Sequence, residues 1–173
     1  MTGAVETIPA INEIAHVRDN VKKWMQDEKV TTPFSIAPAW SRIKWEPLGV
    51  ALVMSSWNYP LMTSIQPLAT AIAAGNAAIL KPSEVSHHTS QVLETLVHKY
   101  LDNNYYRVIQ GGVDVAVAIT KANFDLIVFT GSSDKGKLVA KAAADNLTPC
   151  ILELGGKSPT IIDESADLDW AAN

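Results

Sequence analysis

From residue 48 onward the chain alternates two textures: short apolar runs with β-branched residues, and longer Ala-rich stretches. The short runs predict buried strands over 48–54, 77–81, 105–109, 126–129 and 150–154. The longer stretches predict helices over 61–74, 86–101, 113–121 and 135–146. Gly75-Asn76, Gly111-Gly112 and the 146–149 stretch ending in Pro149 separate them. Near-continuous apolar strands are buried on both faces, and strands that alternate with helices pair in parallel through crossovers. The expected fold is therefore α/β: an open, mostly parallel five-stranded sheet with helices on both faces. Right-handed crossovers bring the carboxyl ends of such strands to one edge, where ligands bind in open α/β sheets. The residues that end each strand thus become functional candidates.

The first 47 residues have another pattern. Ile11, Ile14, Val17, Val21 and Trp24 recur three or four apart and predict an amphipathic helix over 8–25. Pro33, Pro38, Trp40 and Trp45 mark 32–45 as an extended connector. We divide the chain into an N-terminal helix and connector (1–47) and an α/β domain (48–173). A new helical stretch opens at 168–173, so the domain is expected to be incomplete at its C-terminus.

Composition narrows the function classes. With 173 residues, 47% of them hydrophobic, the chain can bury one sizeable core, and its 18% charged fraction is too low for a disordered protein. Lys and Arg number 14 against 18 Asp and Glu, a net charge of −4 with no basic cluster, so no nucleic-acid partner is expected. A single cysteine, Cys150, leaves no disulfide framework and fits a reducing compartment. The N-terminus has neither a basic start nor a long apolar run, and no apolar stretch reaches membrane-spanning length, so a cytoplasmic location is expected. His87, His88 and His98 have a poor spacing for metal, and no metal site is expected.

Four strand ends carry possible chemistry. In Ser56-Trp57-Asn58-Tyr59-Pro60 the Asn58 amide can donate to an oxyanion, with Pro60 starting the next helix; an ordinary turn uses the same residues. In Lys81-Pro82-Ser83-Glu84 the lysine can reach a ribose hydroxyl or a phosphate, with Glu84 near the same ribose. Alternatively the two form a surface ion pair, and Ser83 or Ser86 caps a helix. Thr130-Gly131-Ser132-Ser133-Asp134-Lys135-Gly136 opens a helix whose N-terminus can meet a pyrophosphate, although Gly-and-Ser turns of this kind are common. In Leu152-Glu153-Leu154-Gly155-Gly156 a carboxylate between leucines is expected to have a raised pKa suited to a general base, or else is a partly exposed strand-end acid.

Taken together and in this order, these segments resemble the aldehyde dehydrogenase superfamily. The resemblance rests on Trp57-Asn58-Tyr59-Pro60, Leu80-Lys81-Pro82-Ser83-Glu84, Phe129-Thr130-Gly131-Ser132 and Leu152-Glu153-Leu154-Gly155-Gly156-Lys157-Ser158-Pro159. Glu46-Pro47-Leu48-Gly49-Val50, Ile72-Ala73-Ala74-Gly75-Asn76-Ala77 and Gly111-Gly112 agree with it, and the variants look most like the class-3 or fatty aldehyde dehydrogenase branch. The similarity runs from about Val5 to Trp170.

In that family a cysteine thiolate attacks an aldehyde, hydride passes to NAD(P)+, and water hydrolyses the thioester. The resemblance implies that Asn58 holds the oxyanion and Glu153 activates the water. It implies that Lys81 and Glu84 meet the adenosine ribose, with NAD and NADP both tolerated. Ser132 would bond the pyrophosphate, and Gly155 would let the backbone run close to the nicotinamide. Ser56, Trp57, Ser83, Gly112, Gly131, Gly136 and Leu154 complete the implied cofactor-binding set. The family nucleophile lies beyond the Leu-Glu-Leu-Gly-Gly motif, and no cysteine follows Cys150. Cys150 precedes Glu153 by three positions on one strand, so the two side chains point to opposite faces and Cys150 is expected to pack. In the phosphate turn Lys135 stands where the family usually has an apolar residue. The chain is thus expected to be a fragment, a truncated product or a domain put to another use. One reading is the NAD(P)-binding portion of an aldehyde dehydrogenase, inactive alone; the other is a non-enzymatic remnant serving as a structural or protein-binding module. Either would leave apolar surface for a partner chain to cover.

Overall fold

The computed structural model describes residues 3–171. A π-helical turn, Gly3–Thr7, leads into α1 (Ile8–Trp24). A small hairpin follows, β1 (Glu28–Val30) and β2 (Ser41–Ile43), paired antiparallel with Glu28 opposite Ile43 and Val30 opposite Ser41. This adds to the expected connector over 32–45: β2 lies within it and hydrogen-bonds back to β1, which precedes it, across an intervening stretch that holds Pro33, Pro38 and a short 3-10 turn at Phe34–Ile36. Neither arm alternates apolar and polar residues, because neither has a buried face.

The remainder is β3 (Val50–Met54), α2 (Met62–Ala73), β4 (Ala77–Lys81), α3 (His87–Tyr100), β5 (Tyr106–Val108), α4 (Val113–Thr120), β6 (Leu126–Gly131), α5 (Ser133–Ala144), β7 (Cys150–Leu154) and the short α6 (Leu168–Ala171). The five strands of the main sheet are all parallel, in the order β5-β4-β3-β6-β7. All five expected strands and the four helices expected between them are present; the strands over 77–81 and 150–154 keep their expected bounds and the others have shifted ends. The first strand begins at Val50 rather than residue 48, because Gly49 has φ +135° and its N–H is taken by Asn76 Oδ1 at 2.9 Å. The fourth runs on to Gly131, paired with Leu154 across β7. The third shrinks to Tyr106–Val108 at the sheet's edge. Of the expected helix over 168–173, Leu168–Ala171 is helical, and residues 172 and 173 lie outside the described residues.

Two-residue periodicity divides the strands between two cores. Ala51, Val53, Ala78 and Leu80 point to one face, where Leu68 and Ala71 of α2 and Leu93 and Val97 of α3 cover them. Leu52, Met54, Ile127 and Phe129 point to the other, against Ile119 of α4 and Val139 and Ala143 of α5. Leu52, Leu80, Leu93 and Ile127 are wholly buried, each contributing about 1.5–3 kcal/mol from its side chain alone. α1 lies against α2, and Glu6 closes that junction: its buried carboxylate accepts the Leu61 N–H at 2.9 Å, at the start of α2. No described helix is long and apolar enough to cross a membrane.

The strand order determines where a ligand can sit. From β3 the chain steps outward to β4 and β5, then returns to the other side of β3 to lay down β6 and β7. The helices that follow β3 and β6 therefore leave on opposite faces, and a crevice opens between their carboxyl ends.

Candidate functional site

An open groove of about 890 Å³ occupies that crevice, between the strand ends and the facing sides of α4 and α5. Eleven sequence-nominated residues line it: Ser56, Trp57 and Asn58 after β3; Lys81, Ser83 and Glu84 at and after β4; Gly131 and Ser132 at the end of β6; and Glu153, Leu154 and Gly155 at the end of β7. Gly112 and Gly136 are not among the lining residues. Gly112 borders a smaller neighbouring cavity of about 330 Å³, which Glu84 shares. Gly136 is buried behind the groove wall, where an added β-carbon would lie 2.7 Å from Leu154 Cδ2; it serves the contact of α5 with β7.

Lys81 ends β4 directly beside Met54 of the central strand and is only 4% exposed. Its Nζ donates to the Pro82 carbonyl and to Glu84 Oε2, each at 3.1 Å. The surface-pair alternative therefore fails on the lysine side: one member is buried, and only Glu84 reaches solvent. The Glu84 carboxyl is held below its ordinary value, first by its own backbone N–H and then by the Lys81 hydrogen bond and charge, against desolvation acting the other way. Ser83 does cap, accepting the Val85 N–H at 3.4 Å, and its carbonyl takes a 2.9 Å hydrogen bond from Ser90 Oγ. Ser86 gives no side-chain cap; its hydroxyl donates instead to the Trp57 carbonyl at 3.0 Å.

That last bond pins the loop bearing Asn58. Further ties are the Ser55 N–H to the Lys81 carbonyl, 3.2 Å, and the Ser56 N–H to Thr63 Oγ1, 3.2 Å. Asn58 itself is exposed at the groove. Pro60 does not begin the helix as expected. It sits in the preceding turn, with its carbonyl held by Ser64 Oγ at 2.6 Å, and α2 starts at Met62.

At the end of β6, Gly131 lies against an aromatic ring, and a β-carbon there would be 2.6 Å from Phe129 Cζ. Ser132 is the N-cap of α5, its Oγ accepting the Lys135 N–H at 3.4 Å, so the helix opens at Ser133, two residues earlier than expected. Glu153 takes the second of its two readings, the strand-end acid open to solvent. Leu152 faces the second core and Leu154 is partly exposed, so the leucines do not enclose the carboxylate; it is exposed because β7 is an edge strand, paired only with β6. Cys150 packs on the second core with Leu152, two positions on, which places Glu153 on the opposite face of β7. Burial pushes the Cys150 thiol upward, away from the thiolate a nucleophile needs.

Apart from Ser55 after β3, the lining residues that sequence reasoning missed are mainly helical. Val113, Ala116, Val117 and Thr120 of α4 face Leu138, Val139 and Ala142 of α5 across the groove. Their signal was present: α4 carries apolar residues on more than one face, yet only Ile119 and Thr120 are buried by protein.

This chain is matched over residues 3–173 by the family model described as aldehyde dehydrogenase family. The dimeric NADP-preferring aldehyde dehydrogenase of Mus musculus is 48% identical over 166 residues, 92% of this chain and 37% of its own. Aldehyde dehydrogenase family 3 member A2 of Pongo abelii is 45% identical over 164 residues, 95% of this chain and 34% of its own. The structure of Staphylococcus aureus AldH in its substrate-bound state superposes with a TM-score of 0.91 at 40% identity, covering 99% of this chain and 37% of that one. The chain thus spans about a third of the length of the relatives it matches. Its four strand-end motifs, its sheet order and its likeness to these proteins agree: the chain belongs to the aldehyde dehydrogenase family.

Proposed function

We propose that this chain is the NAD(P)-binding portion of an enzyme that oxidises an aldehyde to a carboxylate. One observation carries the reading: a single groove at the topological switch point gathers Asn58, Lys81, Glu84, Ser132 and Glu153 from four strand ends. Its volume lies within the range of small-molecule sites, and its apolar helical walls suit a flat heterocycle. The fixed Lys81–Glu84 pair offers a donor and an acceptor side by side, a match for vicinal ribose hydroxyls, and the ammonium tolerates a 2′-phosphate. The N-terminus of α5 directs free N–H groups toward an anion near Ser132. Around Gly155 no other atom lies within 4 Å of the β-carbon position, which leaves room for close approach to the backbone. When bound, the dinucleotide supplies the hydride acceptor.

The remaining roles belong to this chain's side chains. The Asn58 amide donates to the oxygen that gains charge when a thiol adds to the aldehyde. Glu153, open to solvent at the groove, accepts a proton from the hydrolytic water. The thiol itself is not among these 173 residues, since the one cysteine packs on the second core behind β7. The polypeptide alone therefore does not turn over aldehyde, and a partner segment covers its exposed apolar surface. The unpaired cysteine suits a reducing, cytoplasmic setting.

Fluorescence titration of the purified chain with NADH and NADPH tests the reading. Saturable binding that is lost in Lys81→Ala and in Ser132→Trp is the expected result. A folded, monodisperse chain that binds neither nucleotide would overturn it and leave a non-enzymatic module. Joined to a thiol-bearing catalytic segment from a relative, Asn58→Ala and Glu153→Gln should each lower turnover about 100-fold.

A further inference from the structure

Three lysines line the groove, and two are accounted for by the fold. Lys81 is buried and paired with Glu84. Lys121 caps the carboxyl end of α4, where the helix dipole favours a cation. Lys135 has no such account. It is the third residue of α5, in the first turn, where the same dipole disfavours positive charge. Among the described residues its ammonium has no ion-pair partner, because the nearby acid, Asp134, pairs with Lys137 at 3.6 Å. Its direction is set by helical spacing: Lys135, Leu138, Val139 and Ala142 form one stripe along the groove wall, with Lys135 the only charged member. It stands beside Ser132 and Gly131, at the helix end already rich in free N–H groups.

We infer that Lys135 is a cofactor-binding residue that contacts the diphosphate bridge of the dinucleotide. This rests on the dinucleotide reading and adds to it a charge-assisted contact from a side chain. A cation held against the dipole and facing an open groove becomes favourable once a dianion lies between it and the helix N-terminus. Because the contact is solvent-facing, its strength falls with added salt.

The test compares wild type, Lys135→Met and Lys135→Arg by NADH titration, with displacement of NADH by ADP and by adenosine at low and high KCl. Methionine keeps the stem and the helix propensity, so the fold is retained. The expected result is about a fivefold loss of affinity for NADH and ADP in Lys135→Met at low salt. Adenosine affinity should be unchanged, Lys135→Arg should bind as wild type, and the gap should narrow at 0.5 M KCl, an ionic strength of about 0.5 M that screens such pairs. Wild-type affinity of Lys135→Met for NADH and ADP would overturn this inference and leave the cofactor reading standing. An equal loss for adenosine would also overturn it, since that marks packing rather than charge. Failure of the folded wild type to bind NADH would overturn both.

Discussion

Glu84 and Cys150 show how local environment decides what a titratable side chain can do. Held below its ordinary value of 4.5, Glu84 stabilises the fold fully at neutral pH, and that stabilisation disappears as pH falls through its folded-state value. The melting temperature of Glu84→Gln should therefore lie below wild type at pH 7 and converge with it below about pH 4.5. The side chain is nearly half exposed, so the difference stays under about 1 kcal/mol. Cys150 moves the other way: burial raises its thiol above the ordinary 9.0 and keeps it protonated near neutrality. Iodoacetamide at pH 8 should modify it about tenfold more slowly than free cysteine, and urea unfolding should abolish the difference. Rapid labelling of the folded chain would contradict its packing role. Sequence order alone was enough to separate Cys150 from Glu153, because side chains three apart on a strand must face opposite ways. It was not enough to determine whether Glu153 is enclosed, because that depends on a neighbouring strand.

At the scale of elements, the strands and helices of the main sheet were readable because each satisfies its hydrophobic period on its own. The hairpin was not, since β1 and β2 bury nothing and are held by backbone pairing that leaves no apolar pattern. Element boundaries come from tertiary bonds. Asp125 Oδ2 accepts the Val50 N–H at 2.7 Å, and a β-carbon on Gly49 would lie 2.1 Å from that same oxygen, in a backbone region side chains rarely adopt. Gly49→Ala should therefore cost about 2–4 kcal/mol in urea denaturation, by displacing the Asp125 carboxylate and straining the entry to β3. Gly136→Ala is the contrasting case: the obstructing atom is the mobile end of Leu154, and alanine favours the helix by about 1 kcal/mol, so its effect should be near zero.

At the scale of the whole molecule, several large apolar side chains among the described residues are exposed. Phe34 and Trp40 of the hairpin segment are 94% and 97% exposed, and Ile151 on the bare side of β7 is 48% exposed. Patches of this kind mark contact surfaces. The isolated chain should bind a hydrophobic dye and sediment faster with rising concentration, and Phe34→Ser with Trp40→Ser should reduce both effects. A dye-silent, concentration-independent monomer would remove the argument for a covering partner.

The amino-acid sequence by itself determined the elements, the division of side chains between two sheet faces and the four strand-end segments. Periodicity and turn chemistry are local, and each can be satisfied within about a dozen residues. Only the tertiary structure decided which strands are neighbours. Placing β6 beside β3 opens a crevice where the outward-facing walls of α4 and α5 meet the strand ends. The same order buries Lys81 beside the central strand and leaves Glu153 on the edge strand. Pairing between segments far apart in the chain depends on the free energy of the whole packed sheet, and no short window of sequence contains it.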